Sequence, residues 1–152
     1  MTRFFCAILV VFLPQITLAQ EPVAKIPDAV SWGTAFVNPA IAAVKAARSA
    51  TPKCELLRLG LSEAVGNVAT IAIKHFVVSP RPCLGCAPDG SPSGHSMNAT
   101  IGVSGWRYGL LFSVGTMQLR REANRHTLPQ VLQGFAVGIG AEAAGRLLKC
   151  EP

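Results

Sequence analysis

Between Lys74 and His95 the chain reads KHFVVSPRPCLGCAPDGSPSGH, and its four prolines, at 80, 82, 88 and 92, forbid a continuous helix or a central strand there. Apolar residues at helical spacing lie on either side, so the chain must fold as helices arranged about a rigid loop. The loop is also where chemistry concentrates. Lys74 and Arg81 bring positive charge, and arginine adds a planar fork of donors that matches phosphate oxygens. Ser93-Gly94-His95 offers a hydroxyl, an unhindered backbone N–H and a side chain that carries a proton near neutral pH. Arg120 and His126, in LRREANRHTLPQVLQG, supply a third cation and a second histidine. Two histidines among three cations describe a site for a phosphate ester.

The spacing Lys74-x6-Arg81-Pro82, then Pro92-Ser93-Gly94-His95, then Arg120-x5-His126 resembles the three-part signature of the type 2 phosphatidic acid phosphatase superfamily. That superfamily includes bacterial acid phosphatases, lipid phosphate phosphatases and vanadium haloperoxidases, and the resemblance covers roughly Lys74 to Gly134. It implies an all-α bundle with the site in loops at one end. It also implies a metal-independent phosphatase, needing no cofactor, that hydrolyses phosphate or diphosphate monoesters, lipid or soluble, through a phosphohistidine. Lys74, Arg81 and Arg120 would clamp the phosphoryl oxygens, with Ser93 and the Gly94 N–H completing the cradle. His126 would attack phosphorus, and His95 would protonate the departing alcohol and then activate water. The sequence departs from the pattern at Gln130, where the family has an aspartate four residues after the nucleophile. In the resemblance Gln130 is the orienting residue: its amide oxygen can accept a bond from His126 but carries no charge. A comparable loss in the serine protease triad costs on the order of 10⁴ in turnover. Glu122 is another acid that could take that place, and a feeble relative that only binds phosphate-bearing ligands is the alternative reading.

Asp28 is a good N-cap for a helix to about Arg48, with Trp32, Phe36, Val37, Ile41 and Val44 on one side and a kink at Pro39. A second helix, about Cys54 to Phe76, carries Leu57, Leu61, Val65, Val68 and Ala72 on an apolar face and ends at Lys74. A third runs from Ser93 or Gly94 to about Gly105, its positive end toward a bound phosphate. After a turn at Trp106 to Gly109, Leu110 to Arg121 returns Arg120 to the site. The last helix, about Pro129 to Lys149, is expected to bury Leu132, Phe135, Ile139 and Ala143, with Gly134, Gly138 and Gly145 allowing close helix contact. The expected fold is thus a compact all-α bundle of about five helices.

Residues 1–19 read as a signal peptide: Arg3, a short apolar run, and Thr17-Leu18-Ala19 before the cut, leaving 20–152 as one domain. Export to the periplasm puts Cys54, Cys83, Cys86 and Cys150 in an oxidising compartment. Four cysteines allow three pairings, and zinc binding or CxxC redox chemistry are the competing uses. Antiparallel packing of the second and last helices would bring Cys54 to Cys150 and leave Cys83 with Cys86. An inner-membrane bundle with a periplasm-facing site is the alternative location, because apolar helices in the resembled superfamily often span the bilayer. Lys45, Arg48, Lys53, Arg107 and Lys149 would also gather at the end opposite the site. The expected partner is a phosphate-ester substrate, including lipid phosphates at a membrane surface. Despite a net charge of +6, no arginine-rich run or recognition-helix pattern points to nucleic acid.

Overall fold

The computed structural model describes residues 22–151; the leader expected at 1–19 lies outside the described residues. The described residues form an all-α bundle: α1 (Lys25–Ala35), α2 (Val37–Ala47), α3 (Pro52–Phe76), α4 (Gly94–Thr100), α5 (Gly109–Glu122) and α6 (Leu128–Gly145), with a 3₁₀ turn at Val103–Gly105. The helix expected from Asp28 to Arg48 is in fact two helices. Pro39 lies in the first turn of α2, where it lacks the N–H that would continue α1, and the break falls at Phe36. Asp28 does not cap a helix, because α1 begins at Lys25; it sits in the first turn with its carboxylate engaged elsewhere. α4 stops at Thr100, earlier than expected, because Gly102 takes the left-handed conformation that turns the chain.

Small residues decide how the helices pack. A Cβ on Gly66 would stand 3.3 Å from the Cβ of Ala141, and one on Gly145 would strike Ser62 and stand 2.8 Å from the Arg58 carbonyl oxygen. As numbers fall along α3 they rise along α6, so the two helices are antiparallel. Gly134 faces Ser93 and Ser96, while Gly138 faces Met97 and Thr100, which sets α4 parallel to α6 at backbone distance. Cys54 is bonded to Cys150 where the far ends of α3 and α6 meet, and Cys83 to Cys86 in the proline-rich loop.

This packing overturns the expected core. α3 buries Ser62, Gly66 and Thr70, whereas Leu57 and Val68 are about two-thirds exposed and Leu61 is exposed as well. α1 and α2 bury Ser31, Ala35, Asn38 and Ala46 and leave Trp32, Phe36 and Val44 largely outside. In α6, Ile139 and Ala143 face outward while Gln130, Val131, Gln133 and Gly134 are buried. Close helix approach requires the small side chains inside, and the bulky apolar ones then have only the outer faces. Met97, Ile101 and Ala141 make the apolar centre, joined by Leu59, Val65 and Val137. Buried polar groups are tied: Asn38 donates to the Ala99 and Gly109 carbonyls and accepts from Trp106 Nε1 at 2.7 Å, linking α2 to the start of α5. By length and composition, α3 is one helix among the described residues that could cross a membrane.

Candidate active site

The C-terminal end of α3, the N-termini of α4 and α6 and the C-terminal end of α5 meet at one end of the bundle. The proline-rich loop folds over them. Its two limbs are pinned together: Ser79 N–H donates to the Pro88 carbonyl, and Gly90 N–H donates to the Ser79 carbonyl at 2.7 Å. The Cys83–Cys86 bond closes its tip. This fold-back carries Asp89 between Lys74 and Arg81 and turns the Gly90 carbonyl toward His126.

His126 is buried, and its Nδ1 lies 2.8 Å from the Gly90 carbonyl oxygen. A carbonyl can only accept, so Nδ1 carries the hydrogen and Nε2 of the neutral ring keeps its lone pair. That Nε2 faces Arg120 Nη2 at 3.5 Å. Burial first, and then the charges of Arg120 and Arg81, hold the His126 pKa well below the ordinary histidine value, against the pull of the Gly90 bond. His95 is also held down, to about 4, by burial and then by Arg120. Both rings are therefore neutral at pH 7.

Each cation is held by a carboxylate. Arg120, buried in α5, donates to Asp28 Oδ1 at 2.5 Å and to Ser31 Oγ at 3.1 Å, while Arg125 pairs with Asp28 Oδ2 at 2.8 Å. Burial lowers the Arg120 pKa to about 10, opposed by Asp28. Asp89 Oδ1 lies 2.9 Å from Arg81 Nη2, and Oδ2 lies 3.5 Å from Lys74 Nζ. Burial lowers the Lys74 pKa, and Asp89 offsets part of that. These pairs leave donors over. Arg81 Nε, Arg120 Nε and His95 Nε2 are the buried side-chain nitrogens without a hydrogen-bond partner among the described residues, and all three belong to this site. Arginine Nε always carries a hydrogen, so Arg81 and Arg120 each leave a buried donor unpaired, at a cost of roughly 1–3 kcal/mol apiece, while His95 Nε2 donates or accepts according to its tautomer.

The structure thus brings together Lys74, Arg81, His95, Arg120 and His126. Ser93 caps α4, its Oγ accepting from Ser96 N–H and Ser96 O–H, and Gly94 is the first residue of that helix. Gln130 does not orient His126. Its amide oxygen accepts from Thr127 N–H, and its amide nitrogen donates to Ser79 Oγ and the Pro80 carbonyl, each at 2.8 Å. Pro80 O accepts only and Thr127 N donates only, so the amide has one self-consistent orientation. Gln130 is instead the post on which the loop rests, and a Cβ at Gly90 would collide with it. Glu122 is exposed and pairs with Gln118. Sequence reasoning missed Asp28, Asp89, Gly90 and Arg125. For Asp89 the available signal was an acid close in sequence to Lys74 and Arg81; Asp28 lies 92 residues from Arg120 and gave none, and a backbone carbonyl leaves none either.

A cavity of about 370 Å³ lies at the opposite end of the bundle, lined among others by Lys45, Arg58, Ser104 and Glu142, and holds none of these residues. Its charges are engaged, Arg58 with Glu55, Arg146 with Glu142 and Lys45 with the Gly105 carbonyl. Compared with protein-family models, with curated proteins and with solved structures, the chain gives no match.

Proposed function

We propose that this protein is a phosphatase of type 2 phosphatidic acid phosphatase-like architecture, acting on phosphate or diphosphate monoesters without a metal cofactor. The observation that carries the reading is the pair of unpartnered buried donors on Arg81 and Arg120, beside His95 and beside a His126 whose Nε2 faces Arg120. In the first step His126 Nε2 attacks phosphorus and the ester P–O bond breaks, while His95 gives its proton to the leaving oxygen. In the second, water attacks the phosphohistidine, its proton passes to His95, and the P–N bond breaks to release phosphate. Lys74, Arg81 and Arg120 hold the equatorial oxygens through both steps. Burial depresses His95 most and the cations next; a bound dianion offsets the cations and so favours the protonated ring that the first step needs.

The chain is exported in this reading, with both disulfides formed in an oxidising compartment. The test of the chemistry is trapping. Brief incubation with a ³²P-labelled monoester and an alkaline quench should leave acid-labile label on the wild type and none on His126→Ala. His95→Ala should still label, from esters with good leaving groups. Tight phosphate binding with no label on the wild type would favour a ligand-binding relative instead.

A further inference from the structure

Trp32 stands edge-on to His95, with ring centroids 4.2 Å apart and planes at 84°, yet it is 55% exposed. Tryptophan has a large apolar face that gains by being covered, and this one lies open beside the histidine that handles the leaving group. Phe36, one helical turn further along, is 49% exposed. The charged groups nearby are turned toward one another, Asp28 to Arg120 and Arg125, Asp89 to Lys74 and Arg81. An ester oxygen within roughly 3 Å of a His95 nitrogen brings its first carbons against the indole.

We propose that Trp32 is a specificity-determining residue forming the leaving-group subsite, and that the alcohol released lays an apolar carbon chain against its indole face. The proposal rests on the phosphatase reading for the word "leaving"; the subsite itself is a matter of binding. Covering roughly 60 Å² of apolar surface is worth about tenfold in affinity.

Chain-length dependence tests it, using calorimetric titration of the mature protein with methylphosphonate and octylphosphonate. Octylphosphonate should bind the wild type about tenfold more tightly than methylphosphonate. Trp32→Ala should erase that advantage while leaving methylphosphonate affinity within about twofold, and Trp32→Phe should keep most of it. Trp32→Gln, of similar reach but polar, repeats the comparison should the alanine variant fail to fold. No octyl advantage in the wild type, or one that survives loss of the indole, overturns the proposal. Absence of any phosphonate binding overturns both readings. An octyl advantage that depends on Trp32, without labelling of His126 by octyl phosphate, overturns the phosphatase reading and leaves the subsite standing.

Discussion

A backbone carbonyl directs a donated N–H as well as a carboxylate does, but it adds no full negative charge, so His126 gains orientation from Gly90 and little else. Putting an aspartate at position 130 should therefore not improve catalysis. Gln130→Asp loses both donations to Ser79 and Pro80 and sets a charge against the Pro80 carbonyl, which loosens the limb that supports Gly90. We expect kcat to fall by about tenfold or more, with His126 losing its single tautomer in ¹⁵N spectra. A rise in kcat would show that the carboxylate reaches His126 after all. Asp89 is a second control point, since its carboxylate sits where phosphoryl oxygens would meet Lys74 and Arg81. Burial alone would raise its pKa, yet Arg81 and Lys74 outweigh burial and keep it charged. Asp89→Asn should tighten inorganic phosphate binding by about fivefold at pH 7, the scale of one partly exposed ion pair. Weaker binding in a titration would mean that Asp89 organises the two cations instead of competing for them. The cations and histidines were legible because charge and proton transfer demand particular side chains. The partners that position them were less so: Gly90 holds His126 by a carbonyl common to every residue, and Asp28 reaches Arg120 from 92 residues away.

Helix limits follow from prolines, glycines and apolar spacing, and most boundaries here were legible within a few residues. Which face turns inward was not. Apolar periodicity marks a stripe, but in α3 the stripe of Leu57, Leu61 and Val68 faces out because Ser62, Gly66 and Thr70 let α6 come closer. Spacing of small residues carried the better signal, and Gly134, Gly138 and Gly145 all face backbone or a hydroxyl of a neighbouring helix. Filling that space should be costly. Gly134→Ala would drive a methyl into the Ser93 carbonyl, and Gly138→Ala would put one 2.6 Å from the Met97 carbonyl oxygen. We expect each to cost about 1–3 kcal/mol by overpacking, read as a lower Tm. Gly140→Ala in the same helix meets nothing within 4 Å and should instead stabilise by roughly 0.5–1 kcal/mol. Equal effects at the three positions would refute the close approach of α4 and α6. Gly134→Ala should also cut activity more than its stability loss explains, since Ser93 adjoins His95.

At the scale of the molecule, the bundle has a tied end and a charged end. The Cys54–Cys150 bond spans 96 residues of sequence, and closing a loop of that size removes about 4–5 kcal/mol of unfolded-state entropy before any native strain. That pairing was legible from helix direction alone, since α3 leads toward the site and α6 away from it. The charged end makes the opposite contribution when the protein is acidified. In the folded protein His126 lies well below its ordinary pKa and His95 at about 4, whereas both titrate near 6.5 in the unfolded chain. Between those values the unfolded state takes up protons that the folded state refuses. Stability is therefore retained above about pH 6.5 and falls as pH drops toward 4, at a slope of at most about 1.4 kcal/mol per pH unit for each histidine. Asp28 shifts the other way in charge but adds to the same trend: burial raises its pKa, Arg125 and Arg120 more than reverse that, and its contribution is lost below about pH 4. Thermal unfolding from pH 8 to pH 4.5 should thus show Tm falling below about pH 6.5. Inorganic phosphate should flatten the fall, because a bound phosphate anion favours protonated histidines in the folded state. His126→Gln should remove part of the slope without phosphate. A Tm that stays level to pH 5, or a slope unchanged in His126→Gln, would mean that His126 is not held neutral among the three cations.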